Sequence, residues 1–271
     1  MSQDIAILRS ALVGISGKNV MVDYADWRAI PTGKADLNVF LELLNPAWYA
    51  FSERNVLVPN PEWFMLAWLP HLKGLDAVWC KTKDATRIFA QHHPRTEYIG
   101  WTSRDCLDAK VPRERSLIHI AGDSVSKGTR HVIAAMAMLP EYQLTLLTSQ
   151  RWGPVTANVE VRGRLEGPEF LVEQNRHMIH VCPSTYEGFG HYINEARSAG
   201  AFIITTNAAP MNELVTEEFG MGCAVASTGP ERMGYAHQAD PQALADCIRL
   251  AMKAPEESLR QCGVKARAAY L

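Results

Sequence analysis

At 271 residues the chain has room for two domains, and its 47% hydrophobic and 21% charged residues match the ordinary globular mix. That balance excludes a disordered chain, a collagen-like repeat and a small disulfide scaffold. Lys plus Arg number 27 against 29 acids, a formal charge of −2, so no global field draws the chain to nucleic acid or an anionic membrane. The cysteines Cys80, Cys106, Cys182, Cys223, Cys247 and Cys262 are irregularly spaced and form no Cys-x-x-Cys pair. That pattern predicts free thiols in a reducing compartment. The first residues show no basic region followed by an apolar stretch, and the apolar run Trp63–Leu69 is too short to span a bilayer. The expectation is a soluble, cytoplasmic protein.

Short apolar runs alternate with helical patterns along the chain. Strands are predicted at Asn19–Tyr24, Leu37–Leu41, Asn55–Val58, Ala77–Lys81 and Thr96–Ile99. Further strands are predicted at Ser116–Ala121, Gln143–Thr148, Val159–Arg162, His180–Cys182 and Phe202–Thr205. Continuous apolar runs such as Leu117-Ile-His-Ile-Ala suit strands covered on both faces. Helices are predicted at Asp84–Gln91, Thr129–Met138, Glu169–Arg176, Ile193–Ala199 and Pro241–Lys253. Strict alternation of this kind predicts an α/β fold with parallel sheets built from βαβ units. The polar segment between Ser103 and Ser116, with Pro112, interrupts the apolar pattern and marks a boundary. Residues 1–115 carry a formal charge of +1 and residues 116–271 one of −3, so neither half is strongly basic.

Two strand-to-helix turns carry the chemistry. The first, Gly122-Asp-Ser-Val-Ser-Lys127-Gly128-Thr129, has Lys127 before Gly128, whereas a Walker A loop needs its lysine after the glycine. An NTPase is therefore excluded, and one cation remains beside a helix start whose free N–H groups favour an anion. The alternative is a solvated lysine in an ordinary βα turn. The second turn reads Pro183-Ser-Thr-Tyr-Glu187-Gly188-Phe189-Gly190-His191, followed by Glu195 within a helix. Gly188 and Gly190 permit tight backbone geometry, so N–H groups can approach a phosphate or a sugar hydroxyl. Glu187 stands near the positive end of the helix, and Glu195 is placed to accept two hydrogen bonds from a diol. The bland reading of the pair is a capping acid and an exposed helix residue.

The second turn resembles that of the family 4 retaining glycosyltransferases of GT-B fold, which carry Pro-Ser-x-x-Glu-Gly-Phe-Gly and a second Glu beyond seven intervening residues. Glu187 and Glu195 match in type and spacing. The following stretch, Ala196 to Val215 with Glu213, is similar to the family's helix, strand and acidic turn, and Lys127-Gly128 resembles its Lys-Gly. The resemblance covers about residues 116–255.

It implies two Rossmann-like domains whose parallel sheets face a cleft: an acceptor-side domain over residues 1–110 and a nucleotide-sugar domain over 111–271, with the last helix packing back on the first. Lys127 would neutralise the donor diphosphate, and Glu187 would hold hydroxyls of the transferred sugar. The backbone of Phe189 and Gly190, with Gly122 and Gly188 shaping the turns, would meet the diphosphate and sugar. Glu195 would bind the ribose, and Gly163–Leu165 would border the base. No metal or other cofactor is implied, the donor being a UDP- or GDP-sugar such as UDP-glucose. Asp123 stands where the family usually has an arginine, in a loop one residue shorter, and Arg130 and Arg164 are candidates to supply the cation. The usual opening strand and its Gly-Gly loop are not visible. No acceptor-side histidine is carried over, and His71, His92 and His93 are read as surface or packing residues.

The expected activity is retaining transfer of a hexose from a nucleoside-diphosphate sugar to an acceptor hydroxyl. Candidate acceptors are a glycan, a lipid-linked sugar or a hydroxymethylated DNA base. For DNA, Arg28, Lys34, Arg54, Lys81, Lys83, Arg87 and Arg95 would have to gather on one face. The rival is a non-catalytic nucleotide-sugar-binding relic of the same fold, which Asp123 and the reduced first domain would favour. His177, His180 and Cys182 have metal-ligating side chains but are read as core. The aromatic run Trp48, Tyr49, Phe51, Trp63, Phe64 and Trp68 is read mainly as packing, with one or two rings exposed as an acceptor platform.

Overall fold

The computed structural model describes residues 2–16 and 21–271. They divide into two compact units, Met1–Arg104 with Pro230–Tyr235, and Asp105–Gly229 with Ala236–Leu271. Both central sheets are parallel throughout.

The first unit begins with helix α1 (Ser2–Ser16), which the sequence reading did not anticipate. Of the predicted strand Asn19–Tyr24, residues 19 and 20 lie outside the described residues and 21–24 form no strand. Four strands follow in spatial order, β1 (Ala35–Leu41), β2 (Ser52–Val58), β3 (Ala77–Cys80) and β4 (Thr96–Tyr98). Helix α2 (Lys83–Phe89) is capped by Thr82, whose hydroxyl accepts the N–H of Ala85. The apolar core gathers Phe40, Leu57, Phe64, Leu72, Val78 and Phe89. Phe64 meets Phe89 edge-on at 5.2 Å, and Trp68 meets Phe64 at 5.5 Å. The aromatic run is thus largely packing, although Trp63 remains 50% exposed.

The second unit places β5 (Glu114–Gly122), α3 (Thr129–Ala137), β6 (Leu144–Thr148), β7 (Val159–Arg162), α4 (Gly167–Arg176), β8 (His177–Cys182), α5 (His191–Ser198), β9 (Phe202–Thr206) and β10 (Gly220–Cys223) in chain order. A two-stranded ribbon, β11 (Val225–Glu231) with β12 (Gly234–Ala239), precedes α6 (Pro241–Lys253) and α7 (Glu256–Tyr270). The sheet order is β10-β9-β8-β5-β6-β7. Chain order therefore runs one way from β5 and the other way from β8, and these neighbours mark the switch point where doubly wound sheets bind ligands at their carboxyl ends.

Local chemistry explains the element boundaries. Asp240 caps α6, its carboxylate accepting the N–H groups of Gln242 and Ala243, with Pro241 as first helical residue. Asn158 closes the connection after α3 by donating to the carbonyls of Met136, Leu139 and Tyr142. The core joins Leu117, Val132, Met136, Leu146, Ile179 and Ile248, where a cut to alanine costs about 2–5 kcal/mol. The last helix belongs to the second unit and packs on α5, β8 and β9. All six cysteines are free, and burial pushes the Cys80 and Cys223 thiols up to about 12. Among the described residues no helix is long and apolar enough to cross a membrane.

Candidate functional site

The loops that follow β5 and β8 lie side by side at the switch point, and their backbones interlock. Gly128 adopts φ +72°, and a Cβ there would fall 1.9 Å from the carbonyl oxygen of Pro183, so only glycine lets the loops approach this closely. Thr185 reinforces the contact, donating its N–H (2.8 Å) and hydroxyl (3.0 Å) to the carbonyl of Ser126. Gly190, at φ +97°, opens α5 as Gly128 opens α3, and neither helix has a side-chain cap. Each of the two helices thus begins at a left-handed glycine that brings no capping side chain of its own.

Between these turns Lys127 and Glu187 meet. Lys127 Nζ lies 2.5 Å from Glu187 Oε1, and their side chains retain 19% and 9% exposure. Ser184 donates its hydroxyl to the same carboxylate oxygen at 2.5 Å. Its single proton is then committed, so Tyr192 donates to Ser184 at 2.7 Å. Lys127 also sits 4.2 Å from the centre of the Tyr192 ring, and burial raises the Tyr192 phenol well above its ordinary value. One cation, one carboxylate and a relay of two hydroxyls therefore form a partly exposed cluster at the carboxyl edge of the sheet.

Buried histidines hold the strands beneath it. His119 on β5 bonds through Nδ1 to the Val181 carbonyl (2.6 Å) and through Nε2 to the Thr129 hydroxyl (2.9 Å). Because a carbonyl only accepts, Nδ1 carries the proton, and Nε2 accepts from Thr129. Burial lowers the His119 pKa to about 4, with the nearby Lys127 charge acting in the same direction. His180 bonds to the Gln174 carbonyl at 3.0 Å, and burial lowers its pKa to about 3. His177 pairs with Glu173, which also meets Arg162 and Arg176. His177, His180 and Cys182 are committed to the core, and among the described residues no three His, Cys, Asp or Glu side chains gather to hold a metal.

The remaining sequence-selected residues fall into place around this centre. Gly122 ends β5, its carbonyl accepting from the Ser149 N–H and the Thr148 hydroxyl. Asp123 receives the Ser149 hydroxyl and lies 2.5 Å from Arg164, whose Nε is 3.0 Å from Glu166. Those two contacts hold the Asp123 carboxyl below its usual range. The sequence alone could not place Arg164 or Arg130; the fold brings Arg164 to the first turn and leaves Arg130 exposed at the start of α3. Gly188 and Phe189 are buried in the second turn, Phe189 edge-on to His191 at 5.4 Å. Glu195 is buried inside α5 rather than exposed, and it accepts a hydrogen bond from Gln174 Nε2 at 3.0 Å. Gln174 had no motif to announce it. A cavity of about 460 Å³, lined in part by Thr205, Asn207, Asn212 and Glu217, continues the same carboxyl edge past β9 and β10.

Among the described residues the first unit supplies no comparable open cluster. Lys81, expected among surface cations, is 2% exposed and lies 3.3 Å from Asp4 and 3.9 Å from Glu42. Trp101 donates to the same Asp4 at 2.6 Å. The basic set offered for DNA therefore loses Lys81. His93 is buried and bonded to the backbone of Leu75 and Arg95, while His71 and His92 are exposed, as their reading as packing or surface residues requires.

Residues 154–269 match the family model described as glycosyl transferases group 1. That span is less than half of the chain and contains Glu187 and Glu195 but not Lys127. No curated protein matches the sequence. Among solved structures, the pneumococcal O-GlcNAc transferase GtfA, in complex with UDP and GlcNAc, is similar at 17% identity and a TM-score of 0.65, over 88% of this chain and 54% of that one. Sucrose-phosphate synthase from Thermosynechococcus elongatus is similar at 16% identity and 0.65, over 98% and 72%. A glycosyltransferase from Rickettsia africae gives 13% and 0.66, over 99% and 76%. The chain spans about half the length of the GtfA chains it matches. The fold is that of GT-B glycosyltransferases, α/β with two parallel sheets. What the chain shares with glycosyltransferases is thus this fold and the match over residues 154–269.

Proposed function

We propose that the second unit binds a nucleoside-diphosphate sugar and that the protein transfers its hexose to an acceptor hydroxyl with retention at the anomeric carbon. The observation that carries this reading is the meeting of Lys127 and Glu187 at 2.5 Å across the β5/β8 switch point, in the unit that matches the group 1 glycosyl transferases. Each charge satisfies the other. An incoming diphosphate competes for Lys127, and the released Glu187 carboxylate becomes an acceptor for sugar hydroxyls. Ser184 and Tyr192 keep that carboxylate oriented during the exchange.

In the transfer, the acceptor oxygen bonds to the anomeric carbon as the bond to the diphosphate breaks, and the acceptor proton passes to a diphosphate oxygen. Charge grows on the leaving group, where Lys127, the N-termini of α3 and α5 and the Phe189 and Gly190 N–H groups stabilise it. Arg164, in the loop after β7 and paired with Asp123 of the loop after β5, offers a second cation. Glu195 accepts from the ribose hydroxyls.

Incubation with a panel of UDP- and GDP-sugars, following nucleotide release with glycan, lipid-linked sugar or hydroxymethylated DNA as acceptor, tests the reading. Release that depends on one acceptor and collapses in Glu187→Ala is expected. If calorimetry finds neither UDP nor GDP bound, the donor-site reading is wrong.

A further inference from the structure

Among the described residues two buried side-chain oxygens lack a hydrogen-bond partner, Asn60 Oδ1 in the first unit and Gln174 Oε1 in the second. Buried acceptors are nearly always satisfied, because leaving one unpaired forfeits its hydration without return. Gln174 is the more informative of the two. It is 3% exposed and sits near the end of α4, with its Nε2 donating to Glu195 Oε2 at 3.0 Å. A carboxylate only accepts, which fixes the amide: Nε2 faces Glu195, and Oε1 is the orphan. The amide is planar, so this acceptor stays beside the carboxylate that anchors its donor.

The surroundings leave Gln174 little freedom to turn away. Its backbone carbonyl accepts from the buried His180 of β8. The preceding residue, Glu173, is held by Arg162, Arg176 and His177. Its neighbour Asn175 bonds to the carbonyls of Cys106 and Leu171. The α4 end is therefore pinned on both sides of Gln174. A ligand donor placed beside the Glu195 carboxylate would complete the arrangement at the Gln174 oxygen.

We propose that Gln174 is a specificity-determining residue for the ribose: it orients the Glu195 carboxylate through Nε2 and accepts one of the two vicinal ribose hydroxyls at Oε1. The inference rests on the donor-site reading above. It predicts discrimination between ribo- and deoxyribonucleotides, and it places that discrimination on a residue outside both glycine turns. A purely structural Gln174 would influence all nucleotides alike.

The test is calorimetry on the full chain with UDP, 2′-deoxy-UDP and 3′-deoxy-UDP, and the GDP set alongside, for the parent, Gln174→Leu and Gln174→Met. The parent should favour the ribonucleotide about tenfold over at least one deoxy analogue. Both variants should lose about tenfold for the ribonucleotide and less than about twofold for that analogue, so the ratio falls toward one. Equal weakening of all ligands, or none, in a variant that retains the parent's circular dichroism overturns the assignment of Gln174 alone. Absence of any nucleotide binding by the parent overturns the donor-site reading and this proposal with it. Two apolar substitutions of different shape guard against one that fails to fold.

Discussion

Each unit carries a lysine just beyond a parallel strand and pairs it with a carboxylate, yet the two pairs differ in their access to solvent. Lys81 follows β3 and is sealed, with 2% and 4% exposure for it and Asp4, and Trp101 shares the same carboxylate. Lys127 stands in the loop after β5 with Glu187, partly open, on glycine turns. A sealed pair has no access to a ligand, and its geometry serves only the fold. An open pair gives up some desolvation strength and gains the ability to exchange partners. Burial, rather than residue type, separates a structural ion pair from a binding one.

The sharpest way to break that contrast is to cut each lysine. Lys81→Ala strands Asp4 in the core and should cost about 3–5 kcal/mol of stability, read by urea denaturation. A loss below 1 kcal/mol would mean that water reaches the site. Lys127→Ala should spare the denaturation midpoint while lowering turnover about a hundredfold, roughly 2.7 kcal/mol of barrier, in steady-state kinetics. Near-normal turnover would transfer the role to Arg164 or Arg130.

Acid should act through the second unit. His119 and His180, with pKa values lowered to about 4 and about 3, are neutral in the fold, whereas an unfolded histidine titrates near 6.5. The unfolded state binds more protons in that window, so the stability present above about pH 6.5 is lost as pH falls toward 4. Denaturation at pH 5 should show a loss of roughly 2 kcal/mol per histidine relative to pH 7. His180→Gln should flatten that dependence; an unchanged slope would clear this histidine of the effect. The smallest effect belongs to the exposed Asp123–Arg164 pair. Asp123→Asn should leave the denaturation midpoint unchanged and turnover intact or raised, because Arg164 then keeps one carboxylate partner, Glu166, instead of two. A clear drop in turnover would make Asp123 part of the working site.

The second unit was the more legible in sequence. Leu117-Ile-His-Ile-Ala and Phe202-Ile-Ile-Thr are continuous apolar runs that only covered strands need, and Glu187 with Glu195 carries its own spacing. The first unit offered weaker signals. α1 mixes apolar and polar residues, and the β-rich composition of Asn19–Tyr24 pointed to a strand that residues 21–24 do not form. The β11/β12 ribbon was missed because Thr228-Gly-Pro reads as a break. Within the site, Asp123–Arg164 and Gln174–Glu195 stayed hidden, because pairs 41 and 21 residues apart meet only through strand order. Burial of Lys81 was equally invisible, since its partner Asp4 lies 77 residues away.

The contact between Gly128 and the Pro183 carbonyl has a consequence for how this site can change over time. With backbone against backbone and Thr185 bonded twice to Ser126, the two loops behave as one piece. An inserted or deleted residue in either would displace both Lys127 and Glu187 unless the other loop changed in step. The spacing of the two charges therefore depends on the lengths of both loops at once.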